Sequence, residues 1–375
     1  MYTDMNKKNE QNYIEISKNL LIWYDSNRRS LPWRAETGQV SNPYHVLLSE
    51  IMLQQTLVAT VIPYFLRFIK IWPTIKDLAV ADFNTISAQW AGLGYYRRAK
   101  NLHETAKIIS LSYNGCIPSD INILLTFPGI GIYTASAITA IAFNANSNVV
   151  DGNIERVFSR LYKIEKPLEL SKDTIKNISV KHLPNNRNGD YAQALMDLGS
   201  SVCIAKTPRC NICPIISSCQ VGGLDEAAQY PKRLAKKVKK TRFGLFFCLI
   251  DEEGSIMFTT NNNKGLFANM DVLPSKGWYE DEGRFINSPL IISEELSLFN
   301  LKWRMLPNQI THVFSHFKLT CTIAYFQISK KRVSEYLLLE KPIRFVNKID
   351  IKYLALPSLM IKIIKYLKDS DLQKN

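Results

Sequence analysis

The sequence predicts two folded domains, an all-helical one followed by an α+β one. Its 375 residues favour two domains at ~100–200 residues each. The first 225 or so read as helix after helix. Residues 44–70 and 88–110 carry apolar side chains at helical spacing, with Pro and Gly clusters between segments. From about residue 243 the texture changes. FGLFFCLI, DEEG and SIMFTT read as two strands joined by a turn, HFKLTCTIAYFQI as another strand, and PSLMIKIIKYLKD as one terminal helix. The expected division is a helical domain over 1–225, a linker over 226–242 and an α+β domain over 243–370.

Composition narrows the class. An apolar fraction of 46% with 21% charged residues is that of a globular protein and excludes disordered and fibrous chains. The net charge of +14 implies a polyanionic partner. The linker concentrates it: Lys232, Arg233, Lys236, Lys237, Lys239 and Lys240 face one acid, Glu226, between residues 226 and 240. Such a run either follows a phosphate backbone or serves as a solvated tether. No stretch offers the ~18 consecutive apolar residues that a membrane span requires. The first residues, MYTDMNKKNEQN, lack the apolar core of a secretion signal, so a reduced, cytoplasmic setting is expected.

Cysteine usage agrees with that setting. Cys203, Cys210, Cys213 and Cys219 are spaced C-x6-C-x2-C-x5-C, a metal-site pattern rather than a disulfide framework. Four thiolates suit either tetrahedral zinc or a [4Fe–4S] cluster. Zinc ribbons pair two C-x2-C knuckles, and only one is present here. The compact wrap suits a cubane held by one loop. Cys116, Cys248 and Cys321 are isolated and read as ordinary buried thiols.

Two further patterns carry chemistry. LTFPGIGIYTAS (125–136) puts Gly129 and Gly131 between an apolar run and a new helix. Their turn exposes backbone N–H groups that can cradle a phosphate, although most such turns only connect helices. Glu50 lies in the helical stretch PYHVLLSEIMLQQT with Val46, Leu47 and Leu53 as its helical neighbours. Its carboxyl therefore projects from the apolar stripe, where desolvation raises a pKa toward that of a general acid. The plainer alternative is a helix-edge glutamate reaching water. Asp151, before Gly152 and Asn153 in VVDGNIERV, occupies a helix N-cap. The helix dipole favours negative charge there. One carboxyl biased neutral and one biased charged is the division that glycosidic cleavage uses.

Taken together, LPWR (31–34), NPYHVLLSEIMLQQTLVATVIPYF (42–65), WAGLGYYRRAKNL (90–102), FPGIGIYTASAI (127–138), VDGNIERV (150–157), YAQALMDLG (191–199) and the four cysteines resemble the helix-hairpin-helix DNA glycosylases of the endonuclease III superfamily. Within it the sequence is most similar to the A/G-specific adenine glycosylases, the MutY family. The resemblance implies an all-α helix-hairpin-helix domain with a [4Fe–4S] loop, then a Nudix-like α+β domain. It implies a monomer acting on duplex DNA in base excision repair, releasing adenine mispaired with 8-oxoguanine or guanine. Glu50 matches the general acid and Asp151 the carboxylate that stabilises the sugar cation. Tyr133 and Asn153 match supporting residues. Trp33, Arg34 and Gln193 match the wall around the flipped base, and Gln55, Leu93 and Tyr95 the residues that insert into the duplex. Gly129 and Gly131 would hold backbone phosphate. Lyase members carry a lysine two residues after the second hairpin glycine, where this chain has Tyr133. Without an amine no Schiff base forms, so a monofunctional enzyme is expected.

In the second half, GLFANMDVLP (265–274) and THVFSHFKL (311–319) resemble the family's turn and lesion-reading loop. Phe314, Ser315 and His316 would sense 8-oxoguanine. The G-x5-E-x7-R-E-x2-E-E box of Nudix hydrolases is absent, because Glu294-Glu295 lacks its upstream Gly and Arg pattern. Nucleotide hydrolysis is therefore not expected, and the second domain reads as a reader.

Overall fold

The computed structural model describes residues 2–36, 39, 41–235, 238–261, 266–267, 270–280, 304–314, 316–329, 343–354 and 356–369. Two compact units result, Met1–Gln89 with Tyr95–Ala235, and Trp90–Gly94 with Lys236–Asn375. No helix among the described residues is long and apolar enough to cross a membrane.

The helices up to residue 197 are α1 (Tyr2–Asn27), α2 (Pro43–Leu53), α3 (Val58–Ile71), α4 (Ile75–Val80), α5 (Phe83–Trp90), α6 (Arg97–Ser112), α7 (Ile121–Leu124), α8 (Ile132–Phe143), α9 (Gly152–Leu161), α10 (Lys172–Ser179) and α11 (Asn188–Asp197). Helix α2 starts where Asn42 accepts the Tyr44 amide at 2.9 Å and Pro43 takes the first helical position. It is buried continuously from Val46 to Met52, so it is a core helix rather than a surface one. It packs on α8, and α8 on α11.

Both long periodic stretches are broken. The first ends at Leu53 and resumes at Val58, with Gln55 left-handed at φ +56° between them. The closing groups come from α6. The Arg98 guanidinium donates to the Met52 and Gln54 carbonyls at 2.6 Å each and to Thr56 Oγ1 at 3.0 Å. The last carbonyls of α2 are thus satisfied by a side chain. The second stretch breaks at Gly92 and Gly94, with φ of +101° and +71°, values at which a Cβ would strain the backbone.

A core of Leu20, Tyr24, Ala137, Ala140, Ile154, Phe158, Tyr191 and Leu195 joins α1, α8, α9 and α11. Small residues let α8 and α11 approach closely. A Cβ at Gly189 would lie 2.7 Å from the Ala140 carbonyl oxygen and 3.0 Å from Ile141 Cα.

Among the described residues of the second unit the strands are β1 (Lys240–Asp251), β2 (Ile256–Thr260), β3 (Asp271–Val272), β4 (Ser275–Tyr279), β5 (Arg304–Met305), β6 (Ile310–Val313), β7 (Phe317–Ile328) and β8 (Ile343–Val346), and helix α12 spans Ser358–Asp369. They form one mixed sheet ordered β3-β2-β1-β7-β5, with β4 also on β1, β6 on β7 and β8 on β2. Its spine is the parallel pair β1–β7, in register from Lys240↔Phe317 to Asp251↔Ile328. Alternation sorts the side chains by face. Phe246 and Cys248 join Phe258, Leu319, Cys321 and Ile323 under Leu359, Met360 and Ile363 of α12. Leu245, Phe247 and Leu249 face the other side with Met257 and Ala324. Cys248 and Cys321 are buried as expected, but Cys116 is exposed. It follows the Asn114–Gly115 turn beyond the end of α6, where both residues have positive φ.

The close contact between α8 and α11 is testable. In a helix, Gly189→Ala should gain up to ~1 kcal/mol of propensity. Collision with the α8 backbone should outweigh this, giving a net loss of about 1–3 kcal/mol in urea unfolding. A more stable variant would contradict the packing.

Candidate active site and cysteine loop

Glu50 sits in the last turns of α2 with only 6% of its surface exposed. Burial raises its pKa to about 7, and the charge of Asp151 adds to the rise. A hydrogen bond from Tyr133 and the charge of Arg34 work against it. Tyr133 lies in the first turn of α8. Burial and the two neighbouring carboxyls push its phenol well up, so it serves Glu50 as a donor.

Asp151 caps α9. Its Oδ1 accepts the Ile154 amide at 2.7 Å and its Oδ2 the Asn153 side-chain amide at 3.0 Å. Asp151 thus caps α9 while lying near enough to Glu50 for its charge to be felt there. Asn153 is held in turn: Arg156 donates to its Oδ1 at 2.9 Å and to the Cys203 carbonyl at 2.8 Å, and also bonds the Gly199 carbonyl. That bond fixes which end of the amide faces Asp151. Gly199 makes room, because a Cβ there would lie 2.6 Å from Asn153 Cβ.

A cleft of about 50 Å³ beside Glu50 is lined by Trp33, Arg34, Ser49, Gln193 and Met196, among others. Trp33 is buried, edge-on to Phe65 at 5.4 Å. Arg34 forms a bidentate pair with Asp197, at 2.6 and 2.8 Å, and Arg29 Nε adds a third bond at 2.6 Å. Burial works to raise Asp197, and these guanidiniums more than reverse it, holding the carboxyl below its ordinary range. Gln193 is buried, its amide donating to the Gly189 carbonyl at 3.2 Å.

The hairpin residues lie along the same unit. Gly129 has φ +77°, and a Cβ there would meet Asn101 at 2.8 Å, so only glycine fits. Gly131 caps α8 with open space beside it. Gln55 is exposed at the tip of the α2–α3 turn. Tyr95 is 60% exposed, with Arg98 5.5 Å from its ring centroid. Leu93 is buried. Arg98, Arg156 and Asp197 carry no local signature in the sequence, because each acts on partners distant along the chain.

The four cysteines line one small cavity with Arg160, Pro208 and Ile216. Arg160 is 2% exposed and donates to the Cys203 sulfur at 3.3 Å, the Ile204 carbonyl at 2.8 Å and the Ala205 carbonyl at 2.7 Å. Backbone amides of Ile215 and Val221 point at Cys213 and Cys219. Burial pushes the Cys213 thiol up to about 12, so a thiolate there needs a cation beside it. Four cysteine sulfurs lining one cavity are a donor set whose chemistry suits an iron–sulfur cluster or zinc.

In the second unit the Phe314 amide donates to the Phe317 carbonyl at 2.8 Å, closing the tip between β6 and β7. Phe314 packs 4.7 Å from Phe317 and 4.7 Å from His312. His316 is exposed. Ser315, Gly265 and Glu294-Glu295 lie outside the described residues.

Comparison with known proteins defines the class. Residues 48–180 match the HhH-GPD superfamily of base excision DNA repair proteins, and residues 245–366 the NUDIX domain. A solved thermostable thymine-DNA glycosylase shares the fold at a TM-score of 0.50 and 24% identity, covering 56% of this chain and 96% of its own. The adenine DNA glycosylase of Buchnera aphidicola subsp. Baizongia pistaciae (strain Bp) is 34% identical over 357 residues, 93% of this chain and 95% of that protein. That of Rattus norvegicus is 32% identical over 81% of this chain and 68% of its own. The chain belongs to the adenine DNA glycosylase family, hydrolases of N-glycosyl bonds.

The buried Glu50 makes stability depend on pH. Its pKa is raised from 4.5 to about 7, so the folded state holds the proton more tightly than the unfolded one. The associated stability is full below about pH 4.5 and is lost as pH rises through 7. Glu50→Gln cannot suffer that loss. Its melting temperature should match the parent near pH 5 and exceed it near pH 8, by up to about 3 kcal/mol in stability. A gap that does not widen with pH would contradict the placement.

Proposed function

We propose that this chain is a monofunctional adenine glycosylase acting on duplex DNA in which adenine is paired with 8-oxoguanine or guanine. The observation that carries the reading is the carboxyl pair: Glu50 buried and proton-retaining, with Tyr133 bonded to it and Asp151 near enough to raise its pKa. Adenine flips from the stack into the cleft beside Trp33, Arg34 and Gln193, which must widen to take it. Glu50 transfers its proton to a purine ring nitrogen. The C1′–N bond breaks with its electron pair going to adenine, which leaves neutral. The sugar cation develops against Asp151, which is kept in place by the Ile154 and Asn153 donors. Water then adds to C1′ and passes its proton to the Glu50 carboxylate, which restores the acid form. Tyr133 offers no amine, so the sugar is not captured as a Schiff base and the backbone stays intact.

Gly129 and Gly131 would present backbone N–H groups to phosphate, and Gln55, Leu93 and Tyr95 would fill the gap left in the duplex. Cys203, Cys210, Cys213 and Cys219 would hold a [4Fe–4S] cluster, which supplies cationic charge that keeps the loop thiolates ionised. Phe314, Ser315 and His316 would read the opposite base.

One assay tests the reaction. Duplex carrying adenine opposite 8-oxoguanine should be cut only after hot alkali. Scission without alkali would indicate a lyase, and none in either lane would leave a binding protein. Glu50→Gln should lose base release by at least about a hundredfold while retaining duplex binding. Parent activity should decline as pH rises through about 7, as the acid form of Glu50 is lost. Loss of binding together with activity would make Glu50 structural.

The cluster has its own readout. Purified protein should carry iron and sulfide in a four-to-four ratio with visible absorbance, and Cys213→Ser should lose both. Stoichiometric zinc instead would overturn the assignment.

A further inference from the structure

We infer that Trp278, a residue outside every motif above, is a positioning residue that sets the lesion-reading tip. The inference rests on the reading of Phe314–His316 as that tip. Trp278 lies on β4, which pairs antiparallel with β1. The register slips there: Phe243 pairs with Tyr279 but Gly244 with Gly277, leaving Trp278 as an extra residue. A β-bulge of this kind re-aims one side chain and recurs beside functional sites. Trp278 adopts φ +66°, a backbone conformation that a bulky residue keeps only when its surroundings hold it.

Those surroundings are the tip. The indole stands 6.1 Å from the Phe314 ring, 6.1 Å from Phe317, 6.1 Å from Phe267 and 5.9 Å from Phe246. Its Nε1 donates to Ser275 Oγ at 3.3 Å. Room for it comes from Gly244, where a Cβ would lie 3.2 Å from the indole Cδ1 and 3.3 Å from Nε1. Bulge, glycine and indole thus form one device. Phe314 closes the tip through its backbone, and Lys239 Nζ donates to its carbonyl at 2.7 Å. Phe317 and His312 stand closer to Phe314, at 4.7 Å each, and Phe267 lies at 5.8 Å, so the indole is the outermost of four rings around it and also touches Phe317 and Phe267. Trp278 acts through Phe314 and not on DNA itself. It fixes where the Phe314 wedge stands, and through it the discrimination between 8-oxoguanine and guanine.

The test uses the full chain carrying its native cofactor. Single-turnover base release is measured on duplexes with adenine opposite 8-oxoguanine and opposite guanine, and the ratio of the two rates is the readout. Trp278→Ala should reduce that ratio about tenfold, in the range set by lost aromatic contacts, with most of the loss on the 8-oxoguanine duplex. Trp278→Phe should restore part of it. Gly244→Ala keeps the indole but displaces it, so it should lower the ratio about threefold even where Trp278→Ala fails to fold. Phe314→Ala separates the two readings. If it lowers the ratio while the Trp278 and Gly244 variants leave it intact, the positioning role alone is overturned. If Phe314→Ala leaves the ratio unchanged, the tip is no reader and the inference falls with it. Equal losses on both duplexes would reduce Trp278 to a fold residue and overturn the proposal.

Discussion

A carboxyl group buried in an apolar helix is the constraint around which the first unit is built. Glu50 cannot ionise freely there, because the charged form lacks water and has Asp151 as a like-charged neighbour. Among the described residues that penalty is not cancelled by a direct ion pair. The fold gives Glu50 a neutral donor, Tyr133, and commits the nearby Arg34 to Asp197. A full salt bridge to Glu50 would instead have held it ionised. Asp151 is treated in the opposite way, with donors on both oxygens.

Arginines inside the first unit do work that helices normally do for themselves. Arg98 satisfies the carbonyls at the end of α2, and Arg160 those of the cysteine loop. Arg156 ties the amide that orients Asp151 to the same loop. A guanidinium is suited to this because its planar donors span several carbonyls at once. Part of the basic excess is therefore internal scaffolding, and net charge alone overstates how much of it faces a polyanion.

Much of this was legible in the sequence, and the pattern of what was not has a physical cause. Local signals held: the apolar neighbours of Glu50 buried it, the Asp-Gly-Asn run capped α9, and the texture change near residue 243 marks a real sheet beginning at Lys240. Helical spacing continues across both breaks, so periodicity alone does not locate them. What stops α2 is Arg98, 44 residues from the carbonyl of Gln54. Asp197 reaches Arg34 across 163 residues, beyond any window in which spacing carries information. Cys116 and Trp278 were misjudged or passed over for a related reason, since exposure and a bulge both depend on how neighbouring elements meet.

The parallel register of β1 and β7 has a mechanical consequence. Lys240, the first residue of β1, pairs with Phe317, the first of β7. The chain therefore enters the sheet at the same end as the Phe314–Phe317 turn, with Lys239 gripping that turn's carbonyl. Tether and tip share one anchorage, with almost no lever arm between them. A pull along the basic segment is delivered at the turn itself, whereas entry at the opposite end of the sheet would dissipate it through twelve residues of β1.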